Sequence, residues 1–314
     1  MSFVPKKQAF NAKINAVTLG TGDKAIVLGG QNVLPFYTFD APIENKPKVG
    51  AEITDAGMAM CTTDGLKAFY EGCATVADMA KRVETMTGAS FLALNLEGAD
   101  PNGENKSVEE CVELAKSVAA ATDLPLVIMG CKNVDKDAEL FNKIPEALAG
   151  KNILVLSARE ENYKAVGASA GLAYNQKVGA ESAVDINLAK QLNTVMTQLG
   201  VNAQSIVMNA GSAAAGYGYE YVASTLDRIK AAALQQGDAQ LQMPIITPVS
   251  TDTWGVKEAT AAEADMPEWG SVEERAIEME VTTASACLAG GSDAVIMRHP
   301  AAVEAIAKMI DALI

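Results

Sequence analysis

Side chains that carry charge or form hydrogen bonds recur where short apolar runs end along this 314-residue chain. These candidates are Asp55, Asn95, Glu97, Ser157, Glu181, Asn209, Arg298 and His299. Amides and carboxylates suit hydrogen bonding to a heterocycle or to a macrocycle fringed with amides, and they do little covalent chemistry unless their pKa values are shifted. As a set, they predict a polar binding rim without an obvious reacting group.

The usual groups of a self-sufficient enzyme are missing from the sequence. His299 is the only histidine and no nucleophile-elbow motif accompanies it, which disfavours a Ser–His–Asp or Cys–His catalytic set. The five cysteines are scattered and form no Cys-x-x-Cys pair, which disfavours a cluster or zinc site held by this chain alone. Neither a Walker A loop nor a dinucleotide fingerprint is present. We therefore assign no catalytic residue and no metal ligand.

The most unusual segment, residues 209–221, combines small residues with three tyrosines. Small residues allow the backbone to approach a ligand closely, and tyrosine rings present flat, amphipathic surface. Tyr217 is therefore added to the binding candidates. The alternative interpretation is a flexible loop that leads into a helix whose tyrosines belong to the core.

The elements that would position this rim alternate between strands and helices. Eight apolar runs predict strands: Lys48–Ile53, Phe91–Glu97, Leu124–Gly130, Asn152–Ser157, Gln176–Ala180, Ser205–Asn209, Pro244–Pro248 and Ala294–Met297. Helical spacing and capping residues predict helices over Leu66–Thr87, after Ser107, and over Ile186–Leu199, Val272–Ala289 and Ala301–Leu313. Eight such units predict an α/β fold, a (β/α)₈ TIM barrel, whose ligands bind at the C-terminal ends of the strands.

Alternation within the predicted strands indicates which side chains face the barrel interior. In Phe91–Glu97 three leucines share one face, expected beneath the helices, whereas the interior face begins small and becomes polar at Asn95 and Glu97. The same alternation places Ser157 on one face with Val155, again as the polar end of an interior face. Polar side chains are therefore expected to gather at the mouth of the barrel.

Residues 1–45 fall outside this repeat and are predicted to form an N-terminal extension, with residues 46–314 as the barrel domain. Within the extension, Ala16–Leu19 and Ala25–Leu28 flank a glycine-containing loop and predict a β-hairpin. The hairpin would either plug the N-terminal end of the barrel or pack on a partner.

The composition indicates which kinds of partner and which cellular compartment to expect. The sequence has 25 Lys+Arg and 39 Asp+Glu, a formal net charge of −14, and no basic stripe, so we expect no nucleic-acid partner. No apolar stretch reaches membrane-spanning length, so no membrane association is expected. An odd number of scattered cysteines and a start without an apolar signal region predict a cytoplasmic protein.

Six segments, in this order, carry a resemblance to a known family: Leu96–Gly103, Ser107–Val112, Glu160–Lys164, Asp185–Asn193, Gly216–Tyr221 and Met297–Pro300. The chain resembles the small (delta) subunit of the corrinoid iron–sulfur protein of the CO dehydrogenase/acetyl-CoA synthase system. The resemblance implies a dihydropteroate synthase-like barrel in a heterodimer with the large subunit of the corrinoid iron–sulfur protein.

The resemblance also implies a function in one-carbon metabolism and carbon fixation. A corrinoid (cobalamin) would be shared at the interface with the large subunit, and a 4Fe-4S cluster would belong to the large subunit only. This chain would be a non-catalytic subunit that caps the corrinoid. It would support methyl transfer from methyltetrahydrofolate and its methyltransferase to acetyl-CoA synthase/CO dehydrogenase in the Wood–Ljungdahl pathway.

Two alternatives remain at this point. The chain could be a pterin-dependent methyltransferase that acts on a separate corrinoid protein, with Asn95 or Asp55 holding the pterin. An aldolase-like barrel would need a lysine or metal constellation that the sequence does not show. The expected cofactor-binding residues are Asp55, Asn95, Glu97, Ser157, Asn209, Tyr217, Arg298 and His299.

Overall fold

The computed structural model describes residue 4, residues 6–8 and residues 10–314. The expected lack of a secretion signal concerns the first residues of the chain, several of which lie outside this description. In the described part, no helix combines the length and the apolar character needed to cross a membrane.

The core of the fold is a ring of parallel strands preceded by a hairpin. The strands are β1 Val17–Leu19, β2 Ile26–Leu28, β3 Lys48–Thr54, β4 Phe91–Asn95, β5 Leu126–Met129, β6 Leu154–Ala158, β7 Lys177–Glu181, β8 Ile206–Asn209, β9 Ile246–Thr247 and β10 Ala294–Met297. The last eight pair in parallel in the order β8-β7-β6-β5-β4-β3-β10-β9. A parallel bridge between Met208 and Ile245 closes the ring, which confirms the predicted (β/α)₈ barrel.

Helices follow the barrel strands and surround them. They are α1 Asp64–Phe69, α2 Val76–Val83, α3 Val108–Ala121, α4 Val134–Ala147, α5 Tyr163–Val166, α6 Ile186–Leu199, α7 Tyr219–Leu234, α8 Val249–Thr253, α9 Lys257–Thr260, α10 Val272–Gly290 and α11 Pro300–Leu313. The capping box predicted for α3 is present: the Glu110 N–H donates to Ser107 Oγ (3.2 Å), and the Ser107 N–H donates to Glu110 Oε2 (2.7 Å).

The single helix predicted over Leu66–Thr87 is wrong, because the structure divides this segment into α1 and α2. Gly72, with φ of +81°, lies between the two helices in a backbone conformation that other residues rarely adopt. Thr75 then starts α2 with a capping box that includes Asp78. The apolar spacing extends over both helices, but the local capping residues start a new helix within this segment.

Alternate residues of the strands contribute to two apolar clusters. Leu92 and Leu94 of β4 belong to a large cluster that includes side chains of the surrounding helices. Phe91 and Ala93 belong to a smaller interior cluster. The alternation predicted for β4 is therefore confirmed.

The face assignment predicted for β6 is wrong. Leu154 and Leu156 belong to the interior cluster, whereas Val155 packs with the outer one. The pairing of β6 with β7 shifts between Val155 and Ala158, so that β6 contains one extra residue. Such a bulge interrupts strict alternation, and Ser157 reaches the mouth of the barrel together with Leu156.

The hairpin plugs the N-terminal end of the barrel, which decides between the two predicted positions. Its strands β1 and β2 pair antiparallel, and Val17, Leu19 and Leu28 join the interior cluster. The Gly20 N–H donates to the Asn152 carbonyl (2.9 Å), so the turn is also tied to the chain just before β6.

A buried ion pair stabilises the same end of the molecule. Lys230 Nζ of α7 lies 2.7 Å from Asp293 Oδ2, and both side chains are almost fully buried. The same oxygen accepts the Ile245 N–H at 2.7 Å, and the Gln31 amide donates to the other carboxylate oxygen. Asp293 thereby connects the extension, α7 and the starts of β9 and β10.

If the hairpin is an integral plug, truncating its buried face will destabilise the whole protein. We expect Leu19→Ala to lower the free energy of unfolding by about 2–5 kcal/mol, because it opens a cavity in a filled interior. Thr18→Ala, an exposed position on the same strand, is the matched control and should cost less than about 1 kcal/mol. Urea unfolding measures both, and equal small losses would show that the hairpin does not support the barrel.

Candidate functional site

A fully buried carboxylate, Glu52, organises one side of the barrel mouth. Glu52 Oε1 accepts from Asn95 Nδ2 (2.8 Å), and Glu52 Oε2 accepts from Arg298 Nε (3.2 Å) and Nη2 (3.1 Å). Removal of a charge from water costs several kcal/mol, which such an ion pair and hydrogen bonds offset. Because β3 lies between β4 and β10, Glu52 fixes residues from both neighbouring strands.

Arg298 is held from three directions. Besides its bonds to Glu52, its guanidinium carbon lies 5.3 Å from the centre of the Trp254 ring, within cation–π distance. The Arg298 backbone N–H donates to Glu280 Oε1 (2.7 Å), and the His299 N–H donates to Glu280 Oε2 (2.9 Å). Burial alone would lower the pKa of Arg298, but the surrounding carboxylates raise it overall, so the guanidinium stays charged.

Glu280 is the most perturbed carboxyl group near the mouth. It lies on α10 with no solvent exposure, and this burial raises its pKa from 4.5 to about 7. The two backbone N–H donors and the Arg298 charge oppose the shift without cancelling it. Glu280 therefore changes protonation near neutral pH.

A second network occupies the opposite side of the mouth. Asn209 Nδ2 donates to Ser157 Oγ (3.0 Å), and Asn209 Oδ1 accepts the Gly211 N–H (3.1 Å). Glu181 forms an ion pair with Arg159 (2.8 Å from Oε1 to Nη2). These side chains border a cavity of about 250 Å³ at the ends of β5 to β8.

Asp55 and Glu97 follow the strands of the first network. Both carboxylate oxygens of Asp55 accept the Gly98 N–H (3.0 and 3.1 Å), and Lys106 Nζ lies 3.2 Å from Asp55 Oδ2. The Asp55 carboxylate is thus occupied in holding the loop after β4. Glu97 begins that loop and is exposed.

The side chains of Tyr217 and His299 lie outside the two networks. Tyr217 is exposed, and its hydroxyl donates to Glu258. His299 is buried: its Nδ1 accepts the Ala301 N–H (3.2 Å) at the start of α11, and its Nε2 lies 3.4 Å from Glu273 Oε1. Burial lowers the pKa of His299, and the Glu273 carboxylate partly opposes this. The imidazole therefore caps a helix and faces α10.

The sequence analysis missed Glu52 and Glu280, although a signal for each was present. Glu52 interrupts an apolar strand on the face that also carries Gly50 and Thr54. Glu280 lies four residues after Ala276 and four before Ala284, in the buried stripe of α10. A charged residue at a buried position needs a partner, so both could have been proposed as parts of a polar network.

The arrangement favours binding over covalent chemistry. The polar groups of both networks are largely paired with one another, and burial raises the pKa of the nearby Cys131 thiol to about 11. In the described ranges, no three or more His, Cys, Asp or Glu side chains are placed to hold a metal ion. The mouth is a preformed polar surface that includes the cavity at the ends of β5 to β8.

Comparison with solved structures defines the class of fold. The chain superimposes on 7,8-dihydropteroate synthase from Vibrio fischeri with a TM-score of 0.58, 13% identity and coverage of 95% of this chain and 98% of that one. Dihydropteroate synthase from Burkholderia cenocepacia gives 0.56 and 14%, with coverage of 96% and 97%. The fold is thus a dihydropteroate synthase-like barrel, as expected.

Sequence comparison defines the family. Residues 16–309 match the family model of the CO dehydrogenase/acetyl-CoA synthase delta subunit, and the chain belongs to this family. The acetyl-CoA decarbonylase/synthase complex subunit delta of Archaeoglobus fulgidus is 30% identical over 99% of this chain and 71% of its own length. The corresponding Methanothermobacter thermautotrophicus subunit is 31% identical over 98% and 77%. The predicted family is confirmed.

Titration of Glu280 predicts a pH-dependent stability. The folded state keeps this proton up to about pH 7, whereas the unfolded state releases it near 4.5. The folded state therefore binds the extra proton between these values, and its stability falls as the pH rises through this window, by about 3 kcal/mol from this group.

We expect Glu280→Gln to remove this pH-dependent component. The variant loses one hydrogen-bond acceptor at every pH, so it should be less stable than wild type at pH 5 and should approach or exceed it at pH 8. Glu278→Gln, exposed on the same helix, should follow the wild-type curve. Parallel unfolding free energies for wild type and Glu280→Gln from pH 5 to pH 8 would contradict the assignment.

Proposed function

We propose that the C-terminal mouth of this barrel covers a corrinoid carried by a larger partner subunit and contributes no reacting group. The single observation that carries the proposal is that the mouth is lined by polar side chains already fixed by one another, above all Glu52 with Arg298 and Asn209 with Ser157. Such a surface orients and shields a ligand without attacking it. The relatives are named as subunits of an acetyl-CoA decarbonylase/synthase complex, which supports action within such an assembly.

The size and chemistry of the mouth fit a covering role. Its cavity of about 250 Å³ is smaller than the roughly 300–1,000 Å³ of most small-molecule pockets. A macrocycle would therefore lie across the mouth and not inside it. The buried hydroxyl Thr251 Oγ1 at the cavity has no hydrogen-bond partner among the described residues, so the mouth retains capacity for a polar ligand.

The residues proposed for the corrinoid site divide into a group that contacts the ring and a group that supports the mouth. Asn95, Glu97, Ser157, Asn209 and Arg298 would form the covering surface. Asp55 would hold the loop after β4, His299 would fix the start of α11, and Tyr217 would hold the loop before α7. When bound, the corrinoid supplies the cobalt that carries a methyl group; this chain orients the ring and limits access of water.

The remaining assignments follow from this proposal. The large subunit of the corrinoid iron–sulfur protein would hold the corrinoid and the 4Fe-4S cluster. The methyltetrahydrofolate methyltransferase and acetyl-CoA synthase/CO dehydrogenase would dock in turn to donate and accept the methyl group. We also propose that residues 1–45 form an extension and residues 46–314 the barrel domain. The proposed location of the protein is the cytoplasm.

A pterin-dependent methyltransferase is the competing function, because the structural relatives include a dihydropteroate synthase in complex with 7,8-dihydropteroate. The groups assigned to a pterin are occupied, since both Asp55 oxygens bind Gly98 and the Asn95 amide binds Glu52. Calorimetric titration of the chain alone with methyltetrahydrofolate separates the two functions. Saturable binding with a micromolar Kd would favour the competing function.

The covering role predicts that this chain slows access of solutes to cobalt. The corrinoid-loaded large subunit is mixed with cyanide, and formation of the cyano-cobalt bond is followed by visible absorption. We expect wild-type chain to slow this reaction at least fivefold, because the mouth shields one face of the ring. Asn209→Ala removes the bonds to Ser157 and Gly211 and should restore much of the rate.

Asn187→Ala is the matched control, since Asn187 is exposed on α6, and it should protect as well as wild type. A cyanide rate that is unchanged by the wild-type chain in a complex shown to form by gel filtration would overturn the covering role. If Asn209→Ala and Asn187→Ala change the rate of cyanide binding equally, Asn209 does not belong to the covering surface.

A further inference from the structure

The cavity between the second network and α8 has features of a site for a small side group. It is bordered by the ends of β5 to β8 and by α8, including Lys132, Arg159, Glu181, Thr251 and Asp252. At about 250 Å³, it has room for an arm of a few heavy atoms and not for a corrin macrocycle. Its walls therefore select by hydrogen bonding and charge as well as by size.

Charged residues of both signs border the cavity. Lys132, Arg159, Glu181 and Asp252 all border it, and Arg159 is paired with Glu181 (2.8 Å). Burial raises the pKa of Asp252, the Ser212 hydroxyl and the Lys132 charge lower it, and the Glu181 charge raises it further. Asp137 is a third carboxyl group at the cavity, and its Oδ1 accepts from the Cys131 N–H (2.8 Å) and Sγ (3.3 Å).

This mixture of charges disfavours a ligand group that carries a net charge. An anion would approach three carboxyl groups, and a cation would approach an ammonium and a guanidinium, so either charge meets repulsion as well as attraction. A neutral group avoids both penalties. The bound group must still form hydrogen bonds with the polar atoms that it would cover, because burial of a polar group without a hydrogen-bond partner costs free energy.

Unused hydrogen-bonding capacity of both kinds is present. Thr251 Oγ1 is buried without a partner in the described part of the chain. Ser157 Oγ accepts from Asn209, which leaves its own O–H able to donate. On the acceptor side, the one hydrogen bond of Glu181 Oε2 within residues 10–314 is a long contact of 3.5 Å with Asn209 Nδ2. A group bound here should therefore both accept a hydrogen bond from a hydroxyl and donate one to a carboxylate.

We propose that this cavity binds a primary carboxamide, the neutral group whose carbonyl accepts from Thr251 or Ser157 and whose NH₂ donates to Glu181 or Asp252. The inference rests on the proposed function, because the corrin ring carries amide-ended arms, and it assigns one such arm to this cavity. The arm would fix the rotation of the ring over the mouth, while the rest of the mouth would cover its face.

The test uses propionamide as the probe and the full chain as the protein. Titration is followed by NMR shifts of backbone amides around the cavity, with propionate and propylamine as the anionic and cationic analogues. We expect saturable shifts at residues that border the cavity with propionamide, and at least threefold weaker binding of either charged analogue. Equal or tighter binding of propionate, or no saturable shifts with propionamide, would overturn the proposal.

Variants at Thr251 separate a hydrogen bond from simple packing. Thr251→Val keeps the shape and removes the hydroxyl, so it should weaken propionamide binding at least threefold, whereas Thr251→Ser should bind within twofold of wild type. Thr260→Val removes an exposed threonine hydroxyl of α9 and should leave binding unchanged. Equal affinity of Thr251→Val and wild type would overturn the assigned hydrogen bond.

Failure of this inference and failure of the covering role give different results. If propionamide does not bind but the wild-type chain still protects cobalt from cyanide, the carboxamide site is wrong and the covering role stands. If cobalt is not protected, the covering role is wrong, and saturable propionamide binding would then support only a carboxamide site for another ligand.

Discussion

A carboxylate without access to solvent, Glu52, constrains the barrel mouth more than any other group. A buried charge must have a partner. Removal of one partner of a buried ion pair typically lowers the stability of the fold by about 3–5 kcal/mol. Glu52 obtains them from Asn95 and Arg298 on the two strands beside its own. Arg298 is in turn held by Glu280 and Trp254. The polar surface at the strand ends is thus fixed before any ligand arrives.

The two ends of the barrel are built for different purposes. The N-terminal end is filled by apolar side chains of the hairpin, such as Leu19 and Leu28, and is reinforced by the buried Lys230–Asp293 pair. The C-terminal end carries the polar networks and the cavity. This division follows the general behaviour of such barrels, in which one end supplies stability and the other binds ligands. It explains why the extension does not obstruct the mouth.

Much of this architecture could be predicted from the sequence, because strand periodicity, capping residues and family motifs are local signals. The eight strands and the start of α3 at Ser107 were recovered in this way. The division of α1 from α2 was missed because an apolar stripe continues past Gly72. The bulge in β6 and the position of the hairpin depend on tertiary packing, and the pairing of Glu52 with Arg298 joins residues 246 positions apart.

In the proposed function, the C-terminal mouth faces the corrinoid of a partner subunit. Hydrogen–deuterium exchange of this chain, measured alone, with the corrinoid-free partner and with the corrinoid-loaded partner, tests it most directly. We expect corrinoid loading to add protection to the loops that follow β4, β8 and β10 and to leave the hairpin turn at residues 20–25 unchanged. Added protection confined to the hairpin end, or identical exchange with loaded and corrinoid-free partner, would contradict it.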